Sequence, residues 1–195
     1  MGSALLDAWK GLKFYSFDVV DPYNFKILNK KYLKNKVRVF KSTPTQTAIK
    51  KYDIIIFAVK PQVSSKVVMQ YANFEFKKNS LIVSIIAGKK ILFFKKNIKN
   101  AIQLVRVMPN MPALINQGIS CMIGNKNFSK SNQKKINELF LKVGETIWLR
   151  NEKQIDMATA ISGSGPGYIF TLIEAFEKAS QKIGFSKKIS RTLVL

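Results

Sequence analysis

Asp53-Ile54-Ile55-Ile56-Phe57-Ala58-Val59-Lys60-Pro61-Gln62 is the stretch from which the fold is read. Its apolar residues run on without alternation, the pattern of a strand covered on both faces and therefore of a parallel sheet. Lys60-Pro61 ends the run, Pro61 suits the first turn of a helix, and residues 63–71 have helical length. The same unit repeats outward. Strands are predicted at 13–20, 37–40, 81–84 and 102–107, with helical segments at 25–33, 45–51 and 89–96. Strand–helix alternation predicts an α/β fold built on a doubly wound parallel sheet. A further strand at 118–124 precedes an amphipathic helix with Ile136, Leu139, Phe140 and Val143 on one face and Gly144 at its end. A last short strand is predicted at 145–149. From Asn151 the pattern is helical only, with Ile169, Leu172, Ile173, Phe176 and Ile183 in one stripe, Gly184 after it, and Ser186 placed to cap a final helix. Two domains follow: 1–150, nucleotide-binding in type, and 151–195, helical.

Composition narrows the chemistry. Of 195 residues, 47% are hydrophobic and 23% charged, which is globular rather than disordered. No histidine is present, which excludes Ser-His-Asp and Cys-His catalysis and histidine-based zinc sites. The single cysteine, Cys121, excludes an internal disulfide or a cysteine-rich metal cluster, so no metal is expected. The formal net charge is +22, yet only Arg38, Arg106, Arg150 and Arg191 are arginines, and the lysines are dispersed in pairs. That pattern favours a drifted basic surface over specific nucleic-acid binding, which needs bidentate arginine contacts. The longest apolar runs fall far short of the ~20 residues of a membrane span. No signal peptide is visible, and a cytoplasmic location is expected.

Several segments carry candidate chemistry, each with a plain alternative. Gly2 and Ser3 open a helix and could close a G-x-G-x-x-G loop, or be an ordinary chain start. Asp21, about twenty residues on, is placed for an adenosine ribose or for a turn before Pro22. Ala58-Val59-Lys60-Pro61 follows a buried strand, at the sheet edge where ligands bind, or is simply a helix start. Ala87-Gly88 ends the next strand with small residues that admit a flat ring, or forms a routine turn. Met108-Pro109-Asn110-Met111-Pro112-Ala113 holds Asn110 between two prolines, for ligand orientation or as a structural turn. Ser162-Gly163-Ser164-Gly165-Pro166-Gly167 precedes a helix and reads as an anion site, a tight packing joint, or both.

Phe57 to Gln62, Ser84-Ile85-Ile86-Ala87-Gly88, Arg106 to Ala113, Val143-Gly144-Glu145 with Ile147-Trp148, and Asp156 to Ala160 running into Ser162 to Tyr168 together resemble the pyrroline-5-carboxylate reductase family. The resemblance spans the whole chain. It implies hydride transfer from NADPH, or NADH, to 1-pyrroline-5-carboxylate, giving L-proline. It implies that Gly2, Ser3, Ala58, Val59, Lys60, Pro61, Ala87 and Gly88 bind cofactor. It also implies that Asn110, Glu152, Ser162, Gly163, Ser164, Gly165 and Pro166 lie near the substrate. A cyclic imine is electrophilic once protonated, so catalysis would rest on orientation and charge. The family pattern has Thr where this chain has Met111 and Ala where it has Gly167. It also continues past Leu195 with a substrate-holding Ser-Pro-Gly-Gly-Thr-Thr segment, and it places a strand and two glycines before Gly2. Both ends therefore read as cut. A homo-oligomer is implied for the full-length family, and the shortened helical region sets that assembly in question here. An inactive fragment or pseudogene product stands as the alternative function. No specific nucleic acid and no membrane partner are expected.

Overall fold

The structure, a computed structural model, describes residues 1–33, 35–100 and 103–195. The chain order is α1 (Gly2–Trp9), β1 (Phe17–Val20), α2 (Phe25–Tyr32), β2 (Val37–Phe40), α3 (Gln46–Ile49), β3 (Ile54–Phe57), α4 (Ser64–Met69), β4 (Leu81–Ser84), α5 (Ile91–Asn97), β5 (Gln103–Pro109), β6 (Gly118–Gly124), α6 (Lys130–Phe140), β7 (Gly144–Trp148), α7 (Glu152–Ala158), α8 (Gly165–Lys182) and α9 (Lys187–Val194).

Strands β3-β4-β5-β6-β7 form one sheet, while β1 and β2 pair parallel as a second. All four residues of β4 are buried, because the two faces of the larger sheet are covered by separate apolar layers. On one face Leu81, Val83, Val105 and Val107 meet Leu5 and Trp9 of α1 and Ile136, Leu139 and Phe140 of α6. On the other, Phe57, Ile82 and Leu104 meet Val68 of α4 and Phe94 of α5. The stripe read for α6 is buried as a unit, and Ser129 caps that helix by accepting from Asn132 N at 3.2 Å. Trp9 Nε1 donates to Leu139 O at 2.7 Å and fixes α1 against α6.

Three expectations change. The first strand begins at Phe17 rather than at residue 13, because Tyr15 N turns back to Leu12 O and the ladder starts only with Phe17 N on Lys36 O. The segment at 63–71 is shorter, with a tight turn at Pro61–Val63 followed by Ser64–Met69. The sheet is also not wholly parallel: β6 runs antiparallel to β5. The connection is only the turn around Met111–Ile115 with left-handed Asn116, too short for the crossover that a parallel neighbour demands. β7 returns parallel to β6 across α6. Ile102, where the fifth strand was expected to start, lies outside the described residues.

The two sheets are tied by side chains at the β1 and β3 starts. Tyr52 donates its hydroxyl to Asp18 at 2.6 Å, and Arg38 grips the same carboxylate at 2.8 and 2.6 Å. Burial, and then the hydrogen bond to Asp18, push the Tyr52 phenol up to about 12. A phenol that holds its proton more tightly when folded contributes stability in full below its ordinary pKa of 10.0, and that stability is lost as pH rises through about 12. Tyr52→Phe should therefore flatten the fall in denaturation midpoint between these pH values. An identical slope in the variant would show that the tie does not form.

Candidate functional site

β3, β4 and β5 are parallel, so Ala58, Ile85–Gly88 and Asn110 emerge at one edge of the sheet, the carboxyl edge. Ile85 N donates to Phe57 O at 3.1 Å, which extends the ladder one residue past the strands and sets the ends of β3 and β4 side by side. The start of α1 closes on the same edge: a Cβ on Gly2 would lie 3.3 Å from Ala58 Cβ. Helix and strand end approach that closely only because Gly2 has no side chain. Ser3 and Ala58 are exposed, and Val59 is half-buried. Lys60 is exposed and extended, as a residue before proline must be, and Pro61 opens the tight turn.

After β4, Ala87 and Gly88 are both exposed, and Gly88 adopts φ +72 with open space where a Cβ would point. Asn110 is held from the side: its Oδ1 accepts from Ile119 N at 2.8 Å, which locks the amide between the end of β5 and the start of β6. Asp21 belongs to a turn. Its carboxylate accepts from Tyr23 N, Asn24 N and Asn24 Nδ2 at 3.1, 2.9 and 3.0 Å. Cys121 is buried and its thiol is pushed up by that burial, which makes it a poor nucleophile.

Ser162 to Pro166 is not an open loop. The chain leaves α7 through a wide helical turn at Thr159–Gly163, where Ser164 N reaches back to Thr159 O at 3.0 Å, and passes directly into α8. Gly167 N donates to Ser164 O at 3.0 Å and Ser162 Oγ to Ala158 O at 2.9 Å. The amides of Ser164 and Gly167 are thus satisfied internally, and no cradle of free amides forms from them. Such wide turns cost helix geometry and are common at functional sites. Met108 reaches the turn from β5, its Cε lying 3.7 Å from the position of a Gly163 Cβ.

Glu152 lies against the sheet. Its Oε1 accepts from Ile91 N at 2.9 Å, at the start of α5, and meets Arg106 Nη1 at 3.5 Å. Arg106 lies roughly 10 Å before the end of β5. Its Nη2 donates to Asp156 at 2.8 Å. Arg106, Asp156 and Met108 stood within motifs quoted from the sequence, but none was given a role of its own. The available signal was an arginine inside the apolar strand Leu104-Val105-Arg106-Val107, since a charge there needs a partner. Among the described residues, no group of three or more His, Cys, Asp or Glu could hold a metal ion.

The small residues at Gly2, Ala58, Ala87 and Gly88 sit at this edge, with the N-terminal end of α1 beside it. The family described as pyrroline-5-carboxylate reductase dimerisation matches residues 152–195. A pyrroline-5-carboxylate reductase of Pseudomonas aeruginosa is 38% identical over 148 residues, 76% of this chain and 54% of the relative. One from Haemophilus influenzae is 35% identical over 144 residues, 74% of this chain and 53% of the relative. The chain thus spans about half the length of these curated relatives. A Plasmodium falciparum pyrroline carboxylate reductase structure with NADP bound superposes with TM-score 0.81 at 28% identity, covering 100% of this chain and 70% of that one. The enzyme from Streptococcus pyogenes gives TM-score 0.83 at 28% identity, with 100% and 71% covered. Prephenate dehydrogenase from Aquifex aeolicus, at 11% identity and TM-score 0.62, shares the fold alone.

Gly88→Ala should cost about 1–2 kcal/mol despite the open space around it, because its left-handed φ excludes a Cβ. Gly11→Ala, also in open space but without a positive φ, serves as the control. Urea midpoints decide the point: equal midpoints for the two variants would contradict the conformation at Gly88.

Proposed function

The chain belongs to the pyrroline-5-carboxylate reductase family, and from that premise we propose that it serves as a cytoplasmic NADPH-dependent (or NADH-dependent) reductase that converts 1-pyrroline-5-carboxylate to L-proline. The observation that supports this most is the convergence of Gly2, Ala58, Ala87, Gly88 and Asn110 on one sheet edge. We assign residues 1–150 to nucleotide binding and 151–195 to the substrate side and assembly.

The nucleotide, when bound, supplies the hydride. The residues of this chain bind and orient. Gly2 and Ser3 present the amino end of α1 to the pyrophosphate, where its dipole favours negative charge. Ala58, Val59, Lys60 and Pro61 line the nucleotide's path, and Ala87 and Gly88 flank the nicotinamide half through backbone and small side chains. Asn110, fixed through Ile119 N, bounds the substrate pocket together with Ser162, Gly163, Ser164, Gly165 and Pro166. Glu152 acts from the side, through its bonds to Ile91 N and Arg106. With no histidine in the chain, these groups contribute by proximity and by charge rather than by an imidazole base.

A second copy of the chain is the partner proposed for α8 and α9. Ile169, Leu172, Phe176, Ile183 and Leu193 are each more than half exposed, although they form the apolar stripe of these helices. A continuous stripe of that kind marks an association surface. No helix among the described residues is long and apolar enough to cross a membrane.

The test is loss of NADPH absorbance on addition of 1-pyrroline-5-carboxylate, with proline identified as the product. Turnover that requires both compounds, and that falls at least tenfold in Gly2→Val, is expected. Nucleotide binding without turnover would instead favour the inactive-fragment reading, and no nucleotide binding would overturn the assignment of the sheet edge.

A further inference from the structure

Among the described residues, Arg106 is the one charged residue that is buried, with 3% of its side chain exposed. A buried guanidinium survives only where partners compensate its lost hydration. Its two partners come from one helix: Glu152 and Asp156 lie four residues apart on α7 and so share a face. The Glu152 oxygen that meets Arg106 also accepts from Ile91 N, at the start of α5 and three residues beyond Gly88. Two residues further along β5, on the same face of the strand, Met108 Cε lies 3.7 Å from where a Gly163 Cβ would stand in the wide turn. One strand therefore binds the start of the segment 152–163 and runs beside its end. The same ion cluster joins that segment to the helix that follows Ala87-Gly88.

We propose that Arg106 is a positioning residue: through Glu152 and Asp156 it sets where the Ser162–Pro166 turn stands relative to the Ala87-Gly88 end of β4. The proposal rests on the reductase reading for its functional consequence, because those two segments are there assigned to substrate and nicotinamide. Its structural content stands without that reading. Lysine cannot replace Arg106, since a single ammonium lacks the planar fork that reaches two carboxylates. Arg106 Nε has no hydrogen-bond partner among the described residues, so the Nη1 and Nη2 contacts carry the whole linkage. Displacement of a substrate cradle by about 1 Å costs on the order of a hundredfold in rate.

The test compares wild type, Arg106→Lys, Asp156→Asn and Asp156→Glu by hydrogen–deuterium exchange, beside NADPH titration and reductase kinetics. Asp156 is 47% exposed, so its amide variant keeps the fold even where an Arg106 variant does not. In Arg106→Lys and Asp156→Asn, amides 159–167 should exchange at least tenfold faster, and those of Leu81–Ser84 should change less than threefold. Asp156→Glu should restore most of the protection. The KM for the imine acid should rise at least tenfold in the first two variants, while NADPH affinity stays within twofold. Unchanged exchange at 159–167 would overturn the proposal, as would an equal rise there and in β4, which would make the cluster a general support of the fold. Failure of wild type to bind NADPH would sink the reductase reading alone, because the exchange data still decide whether Arg106 positions the turn.

Discussion

A strand buried on both faces has only its ends left for chemistry. β4 is in that position: its four residues are sealed between the layer under α1 and α6 and the layer under α4 and α5. Its parallel neighbours end at the same edge, so accessible polar atoms and small residues collect there. Everything that bears on function follows from this constraint. Gly2 lets α1 close on the end of β3. Gly88 bends the chain away from β4 with a backbone angle that other residues rarely adopt. Asn110 is locked where β5 meets β6.

Much of this was legible in the sequence, for a physical reason. The strands at 37–40, 81–84 and 118–124 have the boundaries read from their apolar runs, because charged or turn residues bracket each one closely. The cap at Ser186 was legible in the same way, since a serine before a helical run has few other uses. The direction of β6 was not. An apolar run carries no direction, and only the shortness of the turn after Asn110 excludes a parallel return. The glycine–serine stretch at 162–167 was read as an anion site of free amides before a helix, a tight packing joint, or both. The bonds from Ser164 N to Thr159 O and from Gly167 N to Ser164 O turn it back on itself and use those amides internally. Glu152 was singled out, but its partner was not, because an ion pair across 46 residues leaves no periodic trace.

The charge of the chain and its exposed stripe act at different levels. Among the described residues, the buried set contains the guanidinium of Arg106 and no lysine. The apolar residues of α8 and α9 are a directional feature, on the helices matched by a dimerisation family. Burying them against a second copy would remove surface that water disfavours. It would also brace the wide turn from its far side, since α8 begins where that turn ends. On the proposed reading, assembly and substrate geometry would be coupled through this one short segment.

The central claim is that a nicotinamide nucleotide lies across the carboxyl edge of the sheet. Amide chemical-shift mapping of the isotope-labelled chain, titrated with NADPH, tests it most directly. The account predicts shifts concentrated at Ser3, Ala58, Val59, Ala87 and Gly88, with Asp53 and Gln103 at the opposite edge unmoved. Shifts confined to that opposite edge, or no saturable shifts at all, would contradict it.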